Sequence, residues 1–149
     1  MQPGNRRVVV GLDPQGRSSV ARDGRDMALT FPPTGVTIQE VWWQDHVPAR
    51  LSDNGTRTAS VGLAAPPSGA VVRVLTVPPT PAERDVDLHF DDSTHVITLI
   101  SGQLDVVLEV GEVALEPGDT IVLVASVHDL RNRSDSPATF VYTSFPLSR

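Results

Sequence analysis

The sequence predicts an all-β chain, and three observations carry that reading. Thirteen prolines and eleven glycines interrupt the 149 residues so often that a helix of ordinary length has little room. Between them stand short runs rich in valine, isoleucine, threonine and aromatic residues, the types that suit a pleated surface. These runs recur with turn signals at a spacing of about 8–12 residues, as in a β-sandwich or barrel.

Taken in order, Val8–Leu12 reads as the first strand, and Asp13-Pro14-Gln15-Gly16 as its turn. Ser18–Ala21 pairs back and ends at Asp23-Gly24. Val36–Trp43 is a strand whose alternation puts Trp42 and Trp43 on opposite faces, one of them in the core. Residues 45–68 carry Pro48, Asn54-Gly55 and Pro66-Pro67 among scattered apolar residues and read as a long loop. Further strands are expected at Val71–Val77, Val86–Phe90, Val96–Ile100, Leu104–Val110, Val113–Leu115, Ile121–Val127 and Ala138–Ser144. Gly102, Gly111 and Pro117-Gly118-Asp119 mark the turns among them. No linker divides the chain, so one domain over 1–149 is expected, with N-terminal strands and loop over 1–69 and a barrel core over about 70–145.

Composition excludes several kinds of chemistry. There is no cysteine, which removes thiol nucleophiles, disulfides and thiolate metal sites. There is no lysine, which removes Schiff-base and P-loop mechanisms. A net charge of −6 argues against nucleic acid as a partner. No run approaches the roughly 18 apolar residues of a membrane span. Arg6 and Arg7 precede only three valines, too few for a secretory h-region of about 7–15 residues, so a cytoplasmic protein is expected.

Only four histidines are available, and three lie between positions 89 and 128. His89 and Asp91 share a strand face at i and i+2. His95 opens the next strand, and His128 ends an apolar run and is followed by Asn132. Three imidazoles and a carboxylate thus stand near the ends of successive strands, which a closed barrel can bring to one point. His46 reads as a surface residue, Asp119 as turn chemistry, and Asn132 as a structural hydrogen-bonder.

The segment from His89 to Asn132 resembles the core of the small cupins. Their first motif runs Gly, His-x-His, Glu, Gly; their second runs Gly, His, three residues, Asn. Aligned on Gly102, His89 falls on the first His, Asp91 on the second His and His95 on the Glu. Gly118, His128 and Asn132 match the second motif, with one residue fewer between Gly118 and His128 than is common. More loosely, Arg6–Leu12, Val36–Trp43 and Ala70–Val77 resemble the leading part of a bacterial and fungal cupin subgroup, some of whose fungal members sit in aromatic polyketide pathways.

The resemblance implies a double-stranded β-helix, the cupin or jelly-roll barrel, with an N-terminal β extension. It also implies one divalent metal ion, with His89, Asp91, His95 and His128 as ligands. The family's imidazole and carboxylate have exchanged places at 91 and 95, while the sum of three imidazoles and one carboxylate is kept. Such a set suits zinc, iron(II), nickel or manganese and leaves a position open for a small-molecule substrate. The expected reaction is decarboxylation, isomerisation or dehydration of a small oxygenated acid or polyketide-like compound, with Tyr142, Gln103 or Glu40 moving the proton. Ile97, Leu99, Val122, Phe140 and a tryptophan are expected to line the pocket. An iron(II) dioxygenase and a non-catalytic binding barrel are the alternatives. A homodimer formed through an unpaired N-terminal strand is expected.

Overall fold

The structure, a computed structural model, describes residues 2–31, 33–57 and 62–148. Ten strands follow one another: β1 (Gln2–Leu12), β2 (Ser18–Phe31), β3 (Val36–Gln44), β4 (Ala70–Val77), β5 (Ser93–Ser101), β6 (Leu104–Leu108), β7 (Glu112–Leu115), β8 (Thr120–Val124), β9 (His128–Arg131) and β10 (Ala138–Pro146). Among the described residues no helix is long and apolar enough to cross a membrane.

Two sheets face each other. The larger runs β1-β2-β3-β4-β10-β5-β8 and the smaller β7-β6-β9. Every pair is antiparallel, and the chain passes between the sheets four times, at β5–β6, β7–β8, β8–β9 and β9–β10. Period-two alternation decides what lies between them. On β5, Ser93, His95, Ile97 and Leu99 are buried while the residues between them are half-buried. Ile97, Leu99 and Phe140 from the large sheet meet Leu104, Val106 and Leu115 from the small one in a single core. Phe140 is completely buried there, so its truncation to alanine is worth about 3–5 kcal/mol.

This core fills one end of the barrel. Gly102 closes that end between β5 and β6, where its φ of 83° and a 2.5 Å approach of Pro137 O to an added Cβ both demand glycine. At the other end the inward row turns polar: Glu40, Arg73 and Tyr142 pair across β3, β4 and β10, and His95 lies one step along β5.

Several expectations are corrected. Val86–Phe90 is no strand; only His89 makes a bridge, to His128. The strand expected over Ile121–Val127 ends at Val124 as β8, and β9, which starts only at His128, belongs to the other sheet. Val122 points out of the barrel and is 55% exposed, because its partner Val96 is also an outward position. Neither tryptophan is in the core. A bulge between Glu40 and Trp42 turns Trp42 toward Gly55, and Trp43 stacks under the Arg57 guanidinium. β1 is paired with β2 along its length, so only its outer edge is open. β2 runs well past Asp23, because Arg6–Asp23 and Arg7–Asp26 ion pairs join the two strands of this ribbon.

Candidate functional site

His89 and His128 meet because the chain pairs through them. Each donates its backbone N–H to the other's carbonyl at 3.0 Å, and their ring centres are 4.6 Å apart. β5 supplies the third imidazole: the His95 ring centre lies 5.6 Å from that of His128. β10 runs beside β5 with Ser144 opposite His95 and Tyr142 opposite Ile97, so the Tyr142 ring reaches the same point. Its hydroxyl is 2.8 Å from His95 Nδ1. Asp91 completes the group, with Oδ2 3.4 Å from His95 Nε2. The structure therefore brings His89, Asp91, His95, His128 and Tyr142 together at the polar end of the barrel.

Hydrogen bonds orient these rings. His89 Nδ1–H donates to the Asp87 carbonyl at 3.0 Å and His128 Nδ1–H to the Ser126 carbonyl at 2.9 Å. In the neutral ring this leaves the lone pair on Nε2 in both, the orientation that ligating imidazoles commonly take. Burial pulls His95 below the usual histidine range, opposed by the facing Asp91 carboxylate. Burial lowers His128 as well, against the pull of the Ser126 carbonyl. Both rings are accordingly neutral at pH 7. Burial pushes the Tyr142 phenol up, so it keeps its proton.

The donor set fits a divalent ion chemically. Ligand atoms about 2.1 Å from an ion at the tetrahedral angle stand about 3.4 Å apart, the separation found between Asp91 Oδ2 and His95 Nε2. As placed, among the described residues no three His, Asp or Glu side chains enclose a common point as metal ligands do.

Two expected site residues lie elsewhere. Gln103 is exposed in the β5–β6 turn, at the opposite end of β5 from His95. Strand geometry forces this, because six strand residues and the turn glycine Gly102 separate them. Glu40 does face inward, but its carboxylate is held by two guanidinium groups. Arg57 grips both oxygens, and Arg73 Nη2 lies 3.2 Å from Oε2. A carboxylate so engaged is an anchor rather than a proton carrier. Arg73 was the missed residue here. A charge in the middle of the apolar run Val71–Val77 is the signal that marks it. It is buried, and it also donates to the carbonyls of Gly62, Leu63 and Ala64.

Asn132 is fully buried, donating to the Val77 and Ser136 carbonyls and accepting from Ser134. Asp119 accepts the Glu116 N–H within its turn, and His46 is exposed. A cavity of about 510 Å³ opens beside His89, with Leu75, Val77, Leu130 and Phe140 among its walls and Arg84 and Asp129 at its polar side. It is large enough for a small organic molecule.

Two facing antiparallel sheets in this strand order make a double-stranded β-helix, the cupin-type fold. Solved structures share this fold. A protein described as ethanolamine utilization protein Q from Salmonella typhimurium LT2 is 10% identical and has a TM-score of 0.57, with 97% of this chain and 98% of that chain covered. KdgF from Halomonas sp. is 11% identical at a TM-score of 0.56, covering 83% of this chain and 90% of that one. A sugar phosphate isomerase from the cupin superfamily, from Silicibacter pomeroyi DSS-3, is 25% identical over 52% of this chain at a TM-score of 0.44; the chain spans 51% of that protein's length. The chain matches no protein-family model and no curated protein.

Proposed function

We propose that this cupin-type barrel is a metal-dependent enzyme acting on a small oxygenated organic acid or polyketide-like compound, by decarboxylation, isomerisation or dehydration. The observation that supports it is the gathering of three imidazoles, one carboxylate and one protonated phenol at the polar end of an apolar barrel. His89, Asp91, His95 and His128 would hold the ion, which when bound supplies positive charge to a substrate carboxylate or enolate oxygen.

The chain's own residues supply the rest. Tyr142 holds a proton at its hydroxyl, 2.8 Å from His95 Nδ1, and is the group placed to deliver it. His95 orients that hydroxyl, while Ser144 Oγ at 3.2 Å steadies the imidazole from β10. The cavity beside His89 offers apolar walls to the hydrocarbon part of such a substrate.

The test is elemental analysis of protein purified without a metal-chelating tag, wild type beside His128→Ala. Near-stoichiometric metal in wild type, lost in the variant, is expected. Zinc, nickel or manganese supports the lyase or isomerase reading; iron with O₂ consumption moves it to a dioxygenase. No metal in wild type, even after each ion is added back, overturns the enzyme proposal and leaves a small-molecule-binding barrel.

A further inference from the structure

We infer that Asp129 is a positioning residue for His89, acting on it through the backbone of Asp87. Its purpose rests on the metal site proposed above, while the contacts themselves belong to the metal-free chain.

His89 lies on the segment between β4 and β5, where residues 85–92 are exposed and only His89 bridges to a strand. An exposed segment held at a single bridge leaves a ring free to turn. Yet the His89 ring is tied back along the chain, Nδ1–H to the Asp87 carbonyl at 3.0 Å. That bond can aim Nε2 at the site only if the Asp87 backbone is itself fixed.

The fixing group comes from β9. Alternation sends His128 and Leu130 toward the barrel interior and Asp129 and Arg131 to the opposite face. An acid and an arginine facing outward are ordinarily solvated. Here their side chains are only 5% and 7% exposed, because the chain around Arg84–Asp87 lies over them. Asp129 Oδ2 accepts the Asp87 N–H at 3.2 Å and Arg84 Nη2 at 3.0 Å. Arg131 donates to the carbonyls of Arg84 and Asp85 at 2.7 and 3.1 Å. Asp129 is therefore the group that grips Asp87, and Asp87 is the group that orients His89. One step of β9 thus serves two imidazoles: His128 enters the site, and its neighbour Asp129 sets His89 from behind. Partners of this indirect kind fix the tautomer and direction of a ligating ring, and their loss costs about 10–100-fold in metal affinity.

Long-range proton–nitrogen NMR of the histidine rings tests the inference in metal-free protein at pH 8, with His46 and His128 as internal references. Wild type is expected to carry the His89 proton on Nδ1. Asp129→Leu removes the acceptor; Asp87→Pro removes the N–H and leaves the buried charges in place. Each should move at least half of His89 to the Nε2–H form. Asp129→Asn keeps an oxygen for the Asp87 N–H and should keep the wild-type tautomer. Arg131→Met loosens the same segment without touching Asp87 and should keep it too. Thermal midpoints show which variants are folded, and Asp87→Pro carries the test if Asp129→Leu does not fold. Affinity for the wild-type ion, from chelator competition, should fall about tenfold or more in the first two variants and recover in Asp129→Asn. His89 protonated on Nε2 in wild type, or a tautomer that neither variant moves, overturns the inference. So does an equal shift in Arg131→Met, which would make Asp129 a fastening for the segment alone, and so does a tautomer that shifts while the affinity does not. A wild type that takes up no ion defeats the metal site only, and the tautomers still decide whether Asp129 positions His89.

Discussion

Replacing Glu40 with glutamine should destabilise the protein more than replacing Arg73 with methionine, although Arg73 makes more hydrogen bonds. The Glu40, Arg57 and Arg73 side chains are 9%, 9% and 3% exposed, so their charges are poorly solvated. Glu40 is the carboxylate that both guanidinium groups share. Glu40→Gln leaves two buried cations without that counter-charge, and loss of one partner from a buried pair costs about 3–5 kcal/mol. Arg73→Met leaves Glu40 gripped on both oxygens by Arg57. It frees the carbonyls of Gly62, Leu63 and Ala64, of which the last two belong to exposed residues and can turn to water. That loss is roughly 1–3 kcal/mol. In a chain of this length 1 kcal/mol moves the thermal midpoint by about 2–4 °C, so the variants separate clearly in a melt. Urea unfolding followed by tryptophan fluorescence gives the free energies. An Arg73→Met variant as unstable as Glu40→Gln, or more so, would refute the claim that counter-charge outweighs hydrogen-bond number here.

Two further outcomes follow from the same geometry. Gly102→Ala should cost about 2 kcal/mol or more, because its φ is 83° and the atoms its Cβ would strike, Pro137 O at 2.5 Å and Ala138 Cα at 2.8 Å, are backbone and cannot swing away; an unchanged urea midpoint would contradict this. Metal-free protein should lose stability as pH falls below about 6.5. There the unfolded chain's histidines take up protons that buried His95 and His128 resist, so the unfolded state binds more protons and gains. Urea midpoints at pH 7.5 and 5.5 measure it, and a higher midpoint at 5.5 would reverse the sign.

Strands β4 to β8 and β10 were legible because their side chains alternate and glycine or proline marks most of their turns, whereas β9, with His128, Asp129 and Arg131 among its four residues, was not read as a strand. Val86–Phe90 has the same residue types without the structure, since a strand exists only where a neighbour pairs with it, and here only His89 has one. The length of β2 was hidden by Arg22-Asp23-Gly24-Arg25-Asp26, which reads as a turn. In an exposed two-strand ribbon those charges pair across the strands instead. His89, Asp91, His95 and His128 were singled out through spacing, and the structure brings them to one end of the barrel. Glu40 and Gln103 were chosen by residue type alone, and type does not reveal that one is held by arginines and the other faces away from the site.

The exchange of imidazole and carboxylate at positions 91 and 95 has a physical rationale in the burial of the two positions. The site resembles a cupin motif in which the carboxylate stands where His95 does. Here that position is 2% exposed, while the Asp91 side chain is 59% exposed. A carboxylate at 95 would place a full charge in the barrel interior whenever the ion is absent, and a buried charge costs several kcal/mol. An imidazole at 95 sheds its proton and stays neutral, as its lowered pKa shows. The charge at 91 remains in contact with water. On the proposed metal site, the exchange would keep the same donors and spare the metal-free protein a buried anion. The double variant Asp91→His with His95→Glu restores the family order and tests this. It should melt lower than wild type without metal and recover most of the difference when the wild-type metal is added. A double variant equally stable without metal would show that position 95 tolerates a buried carboxylate, and the exchange would then need another cause.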